Sequence, residues 1–194
     1  MNTLGLIDIG ANVTHPQLHN QIDKVVENMK AQNINKAIIT SSNLKDTKTA
    51  LDIINVYPEI FYTTVGFHPH NAKDFVHENI NSIIEYSKNK KVLAIGECGL
   101  DYYREYSTRE EQLLCFEEQL KIAKSTGLPI FLHERKAHDD FVVMLKKYIL
   151  EIERSVVHCF TGTKNELKVY LGMDCYIGIT GWISDLNRGK HLHD

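Results

Sequence analysis

The sequence predicts an α/β fold whose parallel strands form a TIM-type (β/α) barrel, and three observations carry that expectation. Seven short apolar runs alternate with amphipathic segments along all 194 residues. Nothing resembles the G-x-G-x-x-G turn of a dinucleotide fold. Carboxylate and imidazole side chains recur where the apolar runs end.

The runs are Leu4–Ile9, Lys36–Ser41, Phe61–Gly66, Val92–Gly96, Pro129–Leu132, Ser155–Val157 and Cys175–Ile179. They are rich in Ile, Val, Phe and Tyr, as strands buried on both faces should be. Between them, His19–Gln32 puts Ile22, Val25, Val26 and Met29 on one face at helical spacing. Thr47–Val56 repeats the pattern with Ala50, Leu51 and Ile54, and Ile80–Ser87 is a shorter version. Thr108–Ser125 is the longest helix, with Ser107 and Glu110 as a capping box and Gly127 as its stop. His138–Tyr148 and Lys164–Leu171 complete the series. Strand–helix alternation at this spacing implies right-handed parallel crossovers. A closed barrel takes eight strands and typically about 250 residues. The expectation is therefore a single domain over 1–194, a barrel with seven strands present and the eighth missing.

Composition sets the outer bounds. With 43% hydrophobic and 24% charged residues the chain is ordinary for a globular protein. A net charge of −3 excludes a globally basic nucleic-acid binder, so any such contact must be local or made through a metal. The N-terminal residues lack a basic region followed by an apolar stretch of signal-peptide length, and no apolar run reaches the roughly 20 residues of a membrane span. A soluble, cytoplasmic monomer is expected. Cys98, Cys115, Cys159 and Cys175 form no C-x-x-C pair and read as free thiols in a reducing compartment.

In parallel α/β folds, chemistry gathers at the carboxyl ends of strands. Here those ends carry Asp8, His68, Glu97, His133 and His158. Ionised carboxylate and neutral imidazole both offer lone pairs, so their joint recurrence points to a divalent metal site. Any one of these histidines alone would read as a hydrogen-bonded structural residue. Asp8 also reads as a turn residue, with Asn12 and Thr14 close by. Arg135, two residues beyond His133, suits a bidentate grip on phosphate or a surface ion pair with Glu134 or Asp139. Asp101 suits orienting a histidine or capping the following helix. His15, His19, His77, His191 and His193 lack strand-end context and read as surface residues, and Trp182 reads first as a packed loop aromatic, with stacking on a base as the alternative.

Taken in order, LIDIGANVT, TTVGFHPH, VLAIGECGLDYY, LPIFLHERKAH, VVHCFTGT and YIGITGW resemble the TatD family of metal-dependent deoxyribonucleases. The resemblance implies a barrel of the metal-dependent hydrolase kind and hydrolysis of DNA phosphodiesters, digesting single strands from 3′ ends, with RNA as a further substrate. It implies Glu97, His133 and His158 as metal ligands, Glu97 bridging when two ions bind, and His68 beside the reacting centre. Glu97 and His68 are the catalytic candidates and Arg135 the substrate-binding one. The expected cofactor is Mg2+, one or two ions, with Mn2+ or Zn2+ as substitutes. Two departures stand out: Gly10 and Asn12 occupy positions that are histidine in many relatives, and the eighth-strand E-T-D-x-P segment is missing. On that basis the activity of this chain by itself is an open expectation. The competing readings are an inactive remnant that binds nucleic acid or a partner, and a metal-dependent hydrolase of small esters or amides.

Overall fold

The computed structural model describes residues 5–193. Seven strands, β1 (Leu6–Ala11), β2 (Ile34–Ile39), β3 (Phe61–Val65), β4 (Val92–Asp101), β5 (Ile130–Arg135), β6 (Ser155–His158) and β7 (Tyr176–Ile177), pair in chain order. Every pairing is parallel. The helices are α1 (Pro16–His19), α2 (Ile22–Ala31), α3 (Leu44–Val56), α4 (Glu78–Ser87), α5 (Arg109–Thr126), α6 (His138–Lys146) and α7 (Lys164–Leu171). Each apolar run thus becomes a strand and each amphipathic segment a helix. Leu4, the expected start of the first strand, lies outside the described residues.

The sheet curls strongly. Gly10 on β1 faces the His158 ring on β6, where a Cβ would sit 2.8 Å from Cε1. Among the described residues β1 and β7 do not pair, so the sheet is an incomplete barrel. A groove of about 550 Å³ runs between these edges, lined in part by Leu6, Ile7, Asp8, His158 and Ile179. Leu6 and Ile7 are 61% and 59% exposed there, far from what an apolar strand residue has in a closed barrel.

Two apolar layers support the sheet. Val26, Met29, Ile53, Ile54 and Phe61 pack α2 and α3 against β2 and β3. The larger layer joins β4–β6 to α5 and α6, where the Phe116 and Phe141 rings stack 5.3 Å apart. No helix among the described residues is long and apolar enough to cross a membrane. Cys98, Cys115 and Cys175 are buried free thiols, and Cys159 is a half-buried one.

Several boundaries differ from expectation by a few residues, and three of the differences have clear local reasons. The first amphipathic segment breaks into α1 and α2, because Pro16 starts a one-turn helix capped by the His15 ring. Helix α5 begins one residue later, its capping box formed by Thr108 and Glu111. Ser107 instead takes a hydrogen bond from Lys73 N. Strand β4 does not stop at Gly96 but continues to Asp101. Between Gly96 and Cys98 its register against β5 slips by one residue, leaving Glu97 as a β-bulge.

A candidate metal centre at the carboxyl ends of the strands

The bulge places Glu97. Gly96 and Gly99 on either side have φ of +136° and +143°, a region open essentially to glycine. The Glu97 amide donates to Ser41 O, just beyond β2, at 3.0 Å. Its carboxylate then projects into the barrel mouth, where three imidazoles converge on one oxygen. His133 Nδ1 lies 2.9 Å from Glu97 Oε1, His68 Nε2 3.7 Å and His158 Nε2 3.9 Å. Four of the residues expected from strand ends are therefore brought together, from the ends of β3, β4, β5 and β6.

A second carboxylate stands behind them. Asp101 Oδ2 is 2.8 Å from His70 Nε2 and 3.3 Å from His133 Nε2. Its Oδ1 accepts from the Tyr103 and Arg104 amides. Asp101 thus orients a histidine, and its other oxygen caps the turn after β4 rather than the following helix, which Thr108 caps. His70 was not singled out from sequence. The signal available was its i, i+2 spacing from His68 across Pro69.

Burial and hydrogen bonding set the charges. Burial opposes ionisation of Glu97, but the hydrogen bond with His133 and the attraction of the three histidines outweigh it and hold its pKa at about 2. Burial likewise opposes a charged His133, yet its bonds to Asp101 and Glu97 raise it to about 9. Burial dominates at His68, which falls to about 3, and also lowers His158. Asp101 is pulled well below the carboxylate range by the two histidines, against its burial. The ion-free centre therefore holds a proton on His133 between two carboxylates, with His68 and His158 neutral.

The donor set fits a divalent cation. Two ligand atoms each about 2.1 Å from a shared ion lie roughly 3–4 Å apart, and the three imidazole nitrogens stand 2.9, 3.7 and 3.9 Å from Glu97 Oε1. The ligand atoms of His68, Glu97 and His133 all fall within 4.8 Å of one another. His68 differs from the others in tautomer. Its Nδ1 accepts from the His70 amide at 3.1 Å, so its hydrogen sits on Nε2 and faces the centre as a donor. Glu97 and His158 keep lone pairs for a metal, and His133 offers one at Nδ1 once its proton is displaced, with Asp101 backing its Nε2 as metal-ligating histidines are typically backed. Asp101→Asn is expected to weaken ion affinity by roughly 10–100-fold, read by calorimetric titration.

Asp8 is not part of this convergence. Its Oδ1 accepts from the Gly10 amide at 2.9 Å, a local bond at the groove edge, though its charge still favours the protonated form of His158. The close fit of the His158 ring on Gly10 leaves no room for a side chain at that position. Arg135 stands on the rim, its guanidinium 3.9 Å above the Tyr103 ring, and makes no ion pair with Glu134 or Asp139.

Two residues invisible in the sequence reading hold the frame. Buried Gln112 and Gln119, seven apart on α5, each clamp one backbone segment. Gln112 bonds Asp101 N and O at 2.8 and 3.1 Å, and Gln119 bonds Phe67 N and O at 2.8 and 3.0 Å. One segment carries Asp101 and the other leads into His68. Gln119→Leu would strand two buried backbone groups and is expected to cost about 2 kcal/mol, measured by urea denaturation.

Incomplete barrel, bulged glutamate and strand-end histidines together define a metal-dependent hydrolase of the barrel kind. Over residues 7–194 the chain matches the family described as TatD related DNase, and it belongs to that family. It is 39% identical over 187 residues to a protein of Edwardsiella piscicida named 3′-5′ ssDNA/RNA exonuclease TatD, covering 96% of this chain and 72% of that protein. A protein of Erwinia tasmaniensis with the same name is 37% identical over 189 residues, with 97% and 73% covered. Among solved structures, a TatD family hydrolase from Entamoeba histolytica superposes with a TM-score of 0.85 at 32% identity, covering 92% of this chain and 66% of that one. An uncharacterized amidohydrolase from Saccharomyces cerevisiae gives 0.83 at 25% identity, covering 92% and 68%.

Proposed function

We propose that this chain is a metal-dependent nuclease that hydrolyses phosphodiester bonds in single-stranded DNA or RNA, digesting from the 3′ end. The observation that carries the reading is the convergence of His68, His133 and His158 on one oxygen of Glu97. The names borne by the Edwardsiella and Erwinia relatives support the substrate and the polarity.

Glu97, His133 and His158 hold the ion in this reading, with Mg2+ the expected metal and Mn2+ or Zn2+ as substitutes. A divalent ion there supplies Lewis acidity to a phosphoryl oxygen and makes water acidic enough to attack near neutral pH. Glu97, ionised at any working pH, offers only lone pairs. His68 stays neutral at those pH values and donates its Nε2 hydrogen to a non-bridging phosphate oxygen, fixing the phosphodiester without supplying a proton. Arg135 on the rim contributes positive charge for the strand backbone. The enzyme acts as a cytoplasmic monomer on this reading.

Ion binding has two measurable consequences. At an ion concentration of 100 times Kd the fold gains about 2.7 kcal/mol, a rise in melting temperature of roughly 5–10 °C. A metal must also displace the His133 proton. Because that imidazole stays charged up to about pH 9, apparent affinity should climb roughly tenfold per pH unit from 7 toward 9. The deciding experiment is digestion of an end-labelled single strand by the purified chain with Mg2+, and again with EDTA. Metal-dependent release of nucleotides supports the reading, while an unchanged strand under both conditions rules out nuclease activity of this chain.

A further inference from the structure

Beside the metal centre, the rims of β4 and β5 and the loops after β6 and β7 enclose a cleft of about 360 Å³. Its walls include Tyr103, Arg135, Lys136, Thr161 and Trp182. Two aromatic rings and a guanidinium plane meet there. The Arg135 guanidinium carbon lies 3.9 Å from the Tyr103 ring centroid and 5.8 Å from that of Trp182. Arg188 covers Trp182 at 4.7 Å. Tyr103, although a large aromatic, is 58% exposed.

We propose that this cleft is a nucleobase subsite, in which the base next to the cleaved phosphate stacks on the open face of Tyr103 while Arg135 supports the ring from behind. The inference deepens the nuclease reading and rests on it for the substrate class.

Four features argue for a nucleotide there. First, position: Arg135 follows His133 by two residues on one strand, about 7 Å at strand spacing, so the cleft begins within one or two nucleotides of the ion's ligands. Second, charge: Arg135 and Lys136 balance the two carboxylates of the cleft, Glu134 and Glu166, so that it is not anionic within a protein of net charge −3. Both acids are held in place by neutral donors. Glu134 accepts from Ala137 N and the Tyr170 hydroxyl, and Glu166 accepts from Thr163 N. Third, preorganisation: Arg135 has no carboxylate partner among the described residues, so its stacking on Tyr103 fixes the ring without neutralising the charge. Fourth, size: the volume lies at the lower end for small-molecule sites and suits one nucleotide of a single strand, not a duplex. Stacking on a phenol ring tolerates every base, since each has a π face. The subsite therefore supplies affinity and register without sequence preference.

The test combines an abasic scan with substitution. A labelled oligothymidylate with a phosphorothioate-protected 3′ end is titrated with the full chain and Mg2+, one abasic position being moved along its last four nucleotides. Wild-type protein should lose roughly tenfold in affinity at a single position. Tyr103→Ala should bind the intact strand about tenfold more weakly and lose nothing further at that position, whereas Tyr103→Phe should behave as wild type. A flat scan in the wild type, including no measurable binding, overturns the subsite. So does a Tyr103→Ala variant that keeps the same abasic discrimination. The nuclease reading is tested separately by wild-type hydrolysis of bis(p-nitrophenyl) phosphate, which carries no base. Failure both there and on the end-labelled strand would remove that reading and leave the binding result standing.

Discussion

Glu97→Gln should leave a folded protein whose hydrolysis falls by about 10³-fold or more and whose ion affinity drops at least 100-fold. The substitution keeps the shape of the side chain and removes the negative charge on which three imidazoles converge. Several kcal/mol of transition-state charge stabilisation depend on holding the ion, and each 1.36 kcal/mol is a factor of ten in rate. The ion-free protein carries a second signature. Glu97 is depressed from 4.5 to about 2, so its stabilisation is complete above its unfolded value and disappears as pH falls through the folded one. His133 is raised from 6.5 to about 9, so its contribution is complete below the unfolded value and disappears as pH rises through the folded one. The pair thus stabilises the ion-free fold most between about pH 4.5 and 6.5. Glu97→Gln removes one member and lowers the other, flattening that window in melting curves taken with EDTA. Activity within tenfold of wild type would place the ion elsewhere.

The fold was legible in the sequence because strands buried on both faces spell themselves as apolar runs, and β1 to β7 all lie on such runs. The histidines of the centre were legible for the same reason, since each follows the end of a run. What the sequence concealed was geometry created by long-range pairing. Gly96 reads as the end of a strand, yet β4 continues through Glu97 because β5 extends alongside it to Arg135. The bulge that aims Glu97 has no local signature beyond the two glycines. Ser107 and Thr108 both satisfy a capping pattern, with Glu110 and Glu111 respectively, and only the packed helix selects the second. Gln112 and Gln119 look like surface residues in composition, because the backbone groups they satisfy belong to segments 11 and 52 residues away. Arg135 was legible as a rim residue but not as the partner of Tyr103, since that pairing depends on β4 and β5 ending side by side.

Gly99→Ala is expected to be the most destabilising single methyl the chain can receive near its centre. Gly99 has φ of +143° and pairs with His133 across β4 and β5. A Cβ there would stand 1.9 Å from His133 O and 2.9 Å from His133 C, both rigid backbone. The backbone conformation alone costs an alanine about 1–3 kcal/mol, and relieving the clash means parting two central strands. A loss upwards of about 4 kcal/mol follows, or roughly 8–16 °C in melting temperature. Because the displaced residue is His133, whatever protein still folds should also bind the ion poorly. Gly127, the stop of α5, separates conformation from crowding: its φ is +70° and a Cβ there meets nothing within 4 Å. Gly127→Ala should therefore cost only about 1 kcal/mol and leave ion binding intact. A loss of only about 1–3 kcal/mol at Gly99 would mean that its backbone conformation alone selects glycine. A large gap, joined to loss of ion binding only at Gly99, would show that glycine is required in β4 so that the backbone carrying His133 can approach the bulge carrying Glu97.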